Sequence, residues 1–363
     1  NLNNLTSPFW QKIINLNTIF WFLIILTVLL SIHQYLLPES EFLGVIRPHF
    51  NNYSIFKYSF SHLIENQNLY AFYPDEYGDL YKYSPTFALF MGIFYFLPDW
   101  LGLIFWNLLN VLVLFWAIQR IPSVNNNIKV FILLFAVLEL IGNIQNEQSN
   151  ALMAGLIILS FSFFERKQLW LAALVIALSV YIKLFGIVAC ALFLLYPNKF
   201  RFIAFMIFWM IALWELPLVF VKPDELMNQY ENWFHLLQMD HADRYVYSVQ
   251  GILHQWFQLV NSKCIVLLSG IVMFCAVYIR RDLFGEYGFR LLMLASILIW
   301  VILFNHTSES SGYIICMAGI GIWYFAQEKN RFNTILAIAA FILFSLIYTD
   351  IIPDFYRITI LHP

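Results

Sequence analysis

Three short stretches hold side chains able to work on a polar substrate, and each borders an apolar run. In Gly142-Asn143-Ile144-Gln145-Asn146-Glu147-Gln148-Ser149-Asn150, six amide or carboxylate side chains crowd between two apolar segments. That suits the hydroxyls of a sugar, although Asn143 and Ser149 would also serve as helix caps. In Asn305-His306-Thr307-Ser308-Glu309-Ser310-Ser311, a His, a Glu and several hydroxyls stand at two helix ends. A helix N-terminus there could hold an anion, or Ser310 and Ser311 could simply cap the next helix. In the third stretch Asp75, Glu76 and Asp79 lie beside Lys82 and Tyr83, just before Pro85. Glycosyl transfer to a hydroxyl needs one carboxylate as base, and a phosphate leaving group needs cations or hydrogen-bond donors. A solvated acidic turn would look the same.

One cation stands out. Lys183 interrupts the apolar stretch 169–196 and is followed by Gly186. An ionisable group within a span costs about 2.5–3.5 kcal/mol on insertion scales. The chain is therefore expected to turn at Lys183, with its ammonium at an outer cavity where it can meet phosphate, or to snorkel it toward headgroups.

These residues must be positioned by a membrane-embedded frame. The 363 residues are 61% hydrophobic, 12% charged and 19% aromatic, with a mean hydropathy of +0.72. Soluble domains carry about 25% charged residues. The formal net charge of −2 gives no basic field, so nucleic acid is not an expected partner. The four cysteines, Cys190, Cys264, Cys275 and Cys316, lie in or beside apolar runs with no CxxC pattern, which suggests neither a disulfide framework nor a metal site.

Counted against the roughly 20 residues that span a bilayer, twelve apolar segments emerge, near 17–37, 84–97, 101–119, 130–142, 150–164, 169–182, 184–196, 201–221, 263–280, 289–304, 312–326 and 333–349. The first lacks a small-residue cleavage site and reads as an anchor. No repeat or linker divides the chain, so one domain over 1–363 is expected. Basic residues recur in alternate loops, at Arg120 and Lys129, Arg166 and Lys167, Lys199 and Arg201, Arg280, Arg281 and Arg290, and Lys329 and Arg331, which assigns those loops to the cytoplasm. The polar stretches then face outside, and parity requires that 84–97 be short or re-entrant. The outer segments 38–83 and 222–260 are each about 40 residues, too long for simple connectors. Ile55, Phe56, Phe60, Leu63 and Ile64 in the first, and the runs 233–237 and 252–257 in the second, are spaced like amphipathic interfacial helices.

The chain resembles the polyprenyl-phosphate-sugar-dependent transferases of glycosyltransferase family 87, in the GT-C superfamily. The resemblance rests on motifs in order: Asn52-Tyr53-Ser54-Ile55-Phe56 for an Asp-Phe-x-Val-Tyr-like outer loop, Leu69-Tyr70, Tyr83-Ser84-Pro85 for Tyr-Pro-Pro, and Leu97-Pro98. Glu147-Gln148-Ser149-Asn150 follows for Gly-Gln-x-Asn, then Lys183 for a Lys-x-x-Pro lysine, and Tyr247-Ser248-Val249-Gln250-Gly251. It implies an all-α, polytopic transmembrane helix bundle of GT-C type, set in membrane lipids of a bacterial inner membrane. Its active site would face away from the cytoplasm, formed by the outer loops 38–83 and 222–260. It also implies transfer of mannose from a polyprenyl-phosphate donor to a lipid or glycan acceptor, with no metal or other cofactor.

Under that reading Lys57, Lys82, Lys183 and Arg244 hold the donor phosphate, and Gln148 and Asn150, with Asn52, Tyr83 and His306, contact the substrates. Where the family carries its acid this chain has Asn52, which cannot act as a base. Asp79, Asp75 and Glu309 are the carboxylates available to take over, with Asp79 placed first by its closeness to Pro85. The rivals are a flippase of lipid-linked sugars, for which the repeats common in transporters are missing, and a lipid-sugar-binding homologue without catalysis.

Overall fold

The computed structural model describes residues 15–42, 44–239, 248–258, 263–305 and 309–346. Helix α1 (Leu16–Leu36) is capped by Asn15, whose Oδ1 accepts the Asn17 and Thr18 N–H groups. After it a short hairpin of β1 (Ser40–Phe42) and β2 (Val45–Arg47) turns at Gly44, whose φ of 83° needs a glycine. The chain then runs through α2 (Asn51–Ile64), α3 (Pro85–Tyr95), α4 (Asp99–Gln119), α5 (Asn126–Phe135), α6 (Val137–Gln145), α7 (Asn150–Glu165) and α8 (Leu169–Ile182). A 3-10 helix (Leu184–Leu195) leads to α9 (Lys199–Glu215), which continues as a 3-10 turn (Leu216–Val219). The remaining helices are α10 (Pro223–Met239), α11 (Val249–Phe257), α12 (Lys263–Ala276), α13 (Tyr287–Leu303), α14 (Tyr313–Phe325) and α15 (Arg331–Phe341), which ends in a π-helical turn (Ile342–Leu346). Apart from the hairpin, which the sequence reading did not anticipate, this is the expected all-α membrane bundle.

Among the described residues three helical stretches, α1, α4 and Lys199–Val219, are each 21 residues long and apolar enough to cross a bilayer. At 1.5 Å per residue each rises about 31 Å, the thickness of a hydrocarbon core. The expected single span over 130–142 is instead two helices, α5 and α6, bent by 50°. The 11 residues of α3 rise only about 16 Å, half the hydrocarbon thickness. Glycines let backbones approach where helices pack, as is usual in membranes. A Cβ on Gly155 would lie 2.8 Å from Val113 Cγ1 on α4, and one on Gly319 would lie 2.9 Å from Ala295 O on α13.

The segment 184–196 forms the 3-10 helix rather than an α-helix. Runs of that kind beyond three or four residues are uncommon and mark strain or a hinge. The switch occurs at Lys183, whose backbone is extended at φ −143° and ψ 126°. Gly186 then folds back, donating its N–H to Lys183 O at 2.9 Å, and a Cβ there would lie 2.4 Å from Ser179 Oγ. The turn expected at Lys183 is thus built by glycine's lack of a side chain.

Helix α2 departs from the expectation of a surface helix with one apolar face. Ile55, Phe56, Phe60 and Leu63 are buried as the spacing suggests, but so are Asn51, Ser54, Ser59, Ser61 and His62 on its polar side. The loop between α2 and α3 covers them: Asn51 Oδ1 accepts Gly78 N–H at 3.1 Å. Helix α10 braces that loop in turn, because Gln229 Oε1 accepts Leu69 N–H at 3.1 Å, Gln229 Nε2 donates to Gln67 O at 2.7 Å, and Trp233 Nε1 donates to Lys82 O at 3.0 Å. Here the one-sided pattern holds, since Leu226, Gln229, Tyr230 and Trp233 are the buried residues of α10.

His62 closes the corner between α2 and the loop. Its Nε2 lies 2.8 Å from Glu76 Oε2, and its ring stacks on Tyr73 at 4.0 Å beside Tyr77, whose hydroxyl is 3.4 Å from Nδ1. Burial pulls the His62 pKa below its ordinary value, against the opposing pull of Glu76 and Glu65. With a depressed folded-state pKa the unfolded chain takes up the proton first, so the stability present above about pH 6.5 declines as pH falls below it. The unfolding midpoint of the wild type is expected to fall more steeply between neutral and mildly acidic pH than that of His62→Gln. Parallel pH profiles for the two proteins would refute this.

Candidate functional site

The site is built where three chain reversals meet. The first is the turn at Tyr83-Ser84-Pro85. Ser84 Oγ caps α3 by accepting Phe87 N–H at 3.1 Å and itself donates to Tyr181 O at the end of α8 at 2.5 Å. Tyr70 and Tyr81 donate their hydroxyls to Tyr83 O and Ser84 O at 3.0 and 2.8 Å. Tyr83 is thus pinned between the loop that follows α2 and α8.

The second reversal is the loop between α6 and α7. Asn143 Nδ2 donates to Gln148 O at 2.9 Å, and Asn143 Oδ1 accepts Ala151 N–H at 3.1 Å, which ties the two helix ends together. From α4, Trp106 Nε1 donates to Glu147 O at 2.7 Å and Asn110 Oδ1 accepts Leu152 N–H at 3.1 Å. Asn52 on α2 donates its Nδ2 to Asn146 O at 2.9 Å. The loop is therefore held from α2, α4 and within itself.

The third is the break at Lys183. Its ammonium donates to Asn150 Oδ1 at 2.7 Å and lies 5.7 Å from the centre of the Tyr83 ring. Tyr83 donates its hydroxyl to Gln148 Oε1 at 3.3 Å, and Asn150 Nδ2 reaches Ser311 Oγ at 3.5 Å. Tyr83, Gln148, Asn150, Lys183 and Ser311 thus form one connected polar cluster drawn from four separate stretches of chain. Glu309 acts electrostatically on both Lys183 and Tyr83. Burial first, then Glu309 and Asp79, hold the Tyr83 phenol above its usual range, so the phenol remains a donor at neutral pH.

A cavity of about 200 Å³ has walls that include Phe185, Val266, Leu267, Trp300 and Phe304, with Gln250 and Asn305 as polar members. Phe185 is two residues from Lys183, and Asn305 is four residues before Glu309. The wall of a largely apolar pocket thus begins two residues along the chain from the cation of the polar cluster. That combination can hold an amphipathic ligand with an anionic group between its apolar and hydroxyl-rich parts.

A family model for glycosyltransferase family 87 matches residues 81–349. The chain belongs to glycosyltransferase family 87. It is accordingly a membrane glycosyltransferase, and a sugar donor and an acceptor are its substrates. The family 87 match takes in Tyr83, Gln148, Asn150, Lys183, Glu309 and Ser311 but begins after Asn52. No curated protein matches the chain.

The other residues singled out from sequence fall elsewhere. Lys57 is engaged at the start of α4, donating to Asp99 Oδ1 at 2.5 Å and to Leu97 O at 2.9 Å. Asp75, Asp79 and Lys82 are exposed on the loop between α2 and α3, and Asp79 Oδ1 accepts the N–H of Leu80 at 2.7 Å. Arg244 and His306 lie outside the described residues. Three contributors escaped the sequence reading. Trp106 sits in an apolar run where an indole reads as lipid-facing, Ser311 reads as a cap, and Glu147 is hidden among amides. Among the described residues no group of three His, Cys, Asp or Glu side chains is placed to hold a metal ion.

The Lys183–Asn150 pair can be tested without any substrate. Removing one partner of a buried charged hydrogen bond costs about 1–3 kcal/mol, whereas replacing both with apolar groups is far cheaper. Asn150→Leu is therefore expected to lower the thermal midpoint, and Lys183→Met/Asn150→Leu to recover most of the loss. Strictly additive effects would show that the two side chains are not coupled.

Proposed function

We propose that this glycosyltransferase takes its sugar from a polyprenyl-phosphate donor and passes it, mannose in the first instance, to a hydroxyl of a lipid or glycan acceptor on the extracytoplasmic face. The observation that carries this is the cluster of Lys183, Asn150, Gln148 and Tyr83, with an apolar cavity lined by Phe185 two residues along the chain from Lys183. A lipid-linked sugar phosphate divides into the same three parts: an apolar chain, an anionic phosphate and a hydroxyl-rich ring. Lys183 meets the phosphate by a charge-assisted hydrogen bond, Gln148 and Asn150 meet ring hydroxyls, and the cavity takes the first part of the prenyl chain.

The transfer needs a base for the acceptor hydroxyl and stabilisation of the leaving group. Of the three carboxylates that the sequence offers, Glu309 is the one that acts on both Lys183 and Tyr83, so we assign it the proton. The acceptor oxygen attacks the anomeric carbon as its proton passes to the Glu309 carboxylate. The bond from that carbon to the phosphate oxygen breaks, and the electron pair leaves with the prenyl phosphate, whose negative charge Lys183 offsets.

Loss of a positioned general base lowers turnover by about 10²–10⁴-fold. With polyprenyl-phosphate mannose as donor, Glu309→Gln is expected to fall in that range, and Asp75→Asn and Asp79→Asn to stay within about threefold, since neither of these carboxylates acts on Lys183. Loss confined to Asp79→Asn would move the base to the outer loop. Normal rates for all three variants would end the general-base assignment. Transfer by the wild type from nucleotide sugars but not from prenyl-phosphate sugars would refute the donor class.

A further inference from the structure

The end of α4 gathers positive charge that no carboxylate offsets. Lys129 Nζ, from α5, donates to Gln119 O at 2.7 Å. Arg166 Nη2, from the turn after α7, donates to Arg120 O at 3.0 Å. The two acceptors are consecutive carbonyls, so both cations sit on the end of one helix. Arg120 itself folds back along α4, with its guanidinium 5.3 Å from the centre of the Trp116 ring. Three separate elements thus bring their cations to one place.

Acids are missing here for two reasons. Between Asp99 and Glu139 the sequence holds no Asp or Glu, which leaves the end of α4, the turn after it and the start of α5 without a carboxylate of their own. Glu165, next to Arg166, is committed elsewhere. Arg290 Nε and Nη2 donate to its two oxygens at 2.6 and 3.0 Å, and the Tyr196 hydroxyl donates to it at 2.6 Å. Among the described residues no Asp or Glu forms an ion pair with Arg120, Lys129 or Arg166.

Helix capping does not account for so much charge. The C-terminus of a helix carries about half a negative charge, so three cations leave an excess of about two and a half positive charges. Lys129 is moreover buried. An ammonium has three N–H donors to satisfy, and Gln119 O is the acceptor that Lys129 finds among the described residues. Arg120 and Arg166 are exposed, with most of their donors turned to the surroundings.

An apolar stripe leads up to these cations. On α4, Phe105, Leu109 and Trp116 are 46%, 39% and 56% exposed. Their spacing, continued by Arg120 one turn after Trp116, sets them on one face of the helix. Since α4 is long and apolar enough to cross a bilayer, that face meets lipid and ends at the cation cluster.

We propose that Arg120, Lys129 and Arg166 bind the phosphate of one anionic phospholipid, with an acyl chain lying along Trp116, Leu109 and Phe105. Charge complementarity selects the headgroup. Guanidinium forks and an ammonium match phosphate oxygens, and a net negative lipid offsets the excess charge, which a zwitterionic lipid does not. None of these residues belongs to the Lys183 cluster, so the site does not depend on which sugar donor the protein uses.

The experiment titrates the purified full chain in detergent with phosphatidylglycerol and, separately, with phosphatidylcholine, and reads bound lipid by native mass spectrometry. The wild type is expected to hold one phosphatidylglycerol saturably and more tightly than phosphatidylcholine. A Lys or Arg beside an anionic lipid is worth about fivefold in affinity, so Arg120→Gln should weaken phosphatidylglycerol about fivefold and Arg120→Gln/Arg166→Gln about 25-fold. The Arg120 side chain rests on Trp116 and makes no hydrogen bond among the described residues, so Arg120→Gln should keep the wild-type thermal midpoint. Lys199→Gln/Arg201→Gln removes the same charge from the start of α9 and should leave the affinity of that first lipid within about twofold.

Equal weakening by Lys199→Gln/Arg201→Gln would show that the lipid senses net charge and not this site, and would overturn the proposal. Equal affinity of the wild type for the two lipids would overturn it as well. Displacement of phosphatidylglycerol by millimolar inorganic phosphate would assign the cluster to a free anion instead of a lipid.

Discussion

A lysine ammonium inside an apolar stretch must find a partner, and the site is organised by how Lys183 finds one. The helix that carries it stops there, the backbone becomes extended, and Gly186 allows a 3-10 helix to pack back against Ser179. The ammonium then points across the bundle to Asn150 Oδ1 at 2.7 Å and over the face of Tyr83. Without a break at residue 183 the charge would be carried along a continuous apolar helix. Without Asn150 at the start of α7 it would lack the acceptor it now has. The helix break and the polar loop before α7 therefore depend on each other.

Around that pair the chain spends much of its polar content on holding loops still rather than on meeting solvent. Tyr70, Tyr81 and Trp233 each donate to a backbone carbonyl of residues 82–84, Trp106 and Asn143 do the same for the loop before α7, and Asn110 Oδ1 accepts the Leu152 N–H in the first turn of α7. Fixed donors and acceptors lose little entropy when a substrate arrives, which is the advantage of a preorganised polar site. The exposed apolar side chains on α9 and α12, such as Phe200, Ile207, Ile265 and Val272, mark the opposite role, surface given over to lipid.

What could be read from sequence follows from which forces act locally. Apolar runs and their punctuation are local, so the helices were visible, as was the turn at Lys183 with its nearby glycine. The polar cluster was legible in part, because Gln148, Asn150, Tyr83 and Lys183 are conspicuous residues in unusual places. Pairings across the bundle were not legible. Lys57 reads as a free cation, yet it is spent on Asp99, 42 residues away. The spacing of α2 shows an apolar face but not the loop that covers its polar one. The 50° bend between α5 and α6 has neither proline nor glycine at the break to announce it. Glu309, three residues from His306, could not be ranked against Asp79 from sequence, because its electrostatic influence on Lys183 depends on the fold.

The claim that depends on all of this is that Lys183 receives the donor phosphate. The most direct measurement is an experimental structure of the protein in lipid nanodiscs with a polyprenyl-phosphate sugar bound. The phosphate is expected within hydrogen-bond distance of Lys183 Nζ, with the sugar ring against Gln148 and Asn150 and the prenyl chain entering the cavity beside Phe185 and Trp300. A phosphate held instead near Arg280 and Arg281, with Lys183 still bonded only to Asn150, would contradict it.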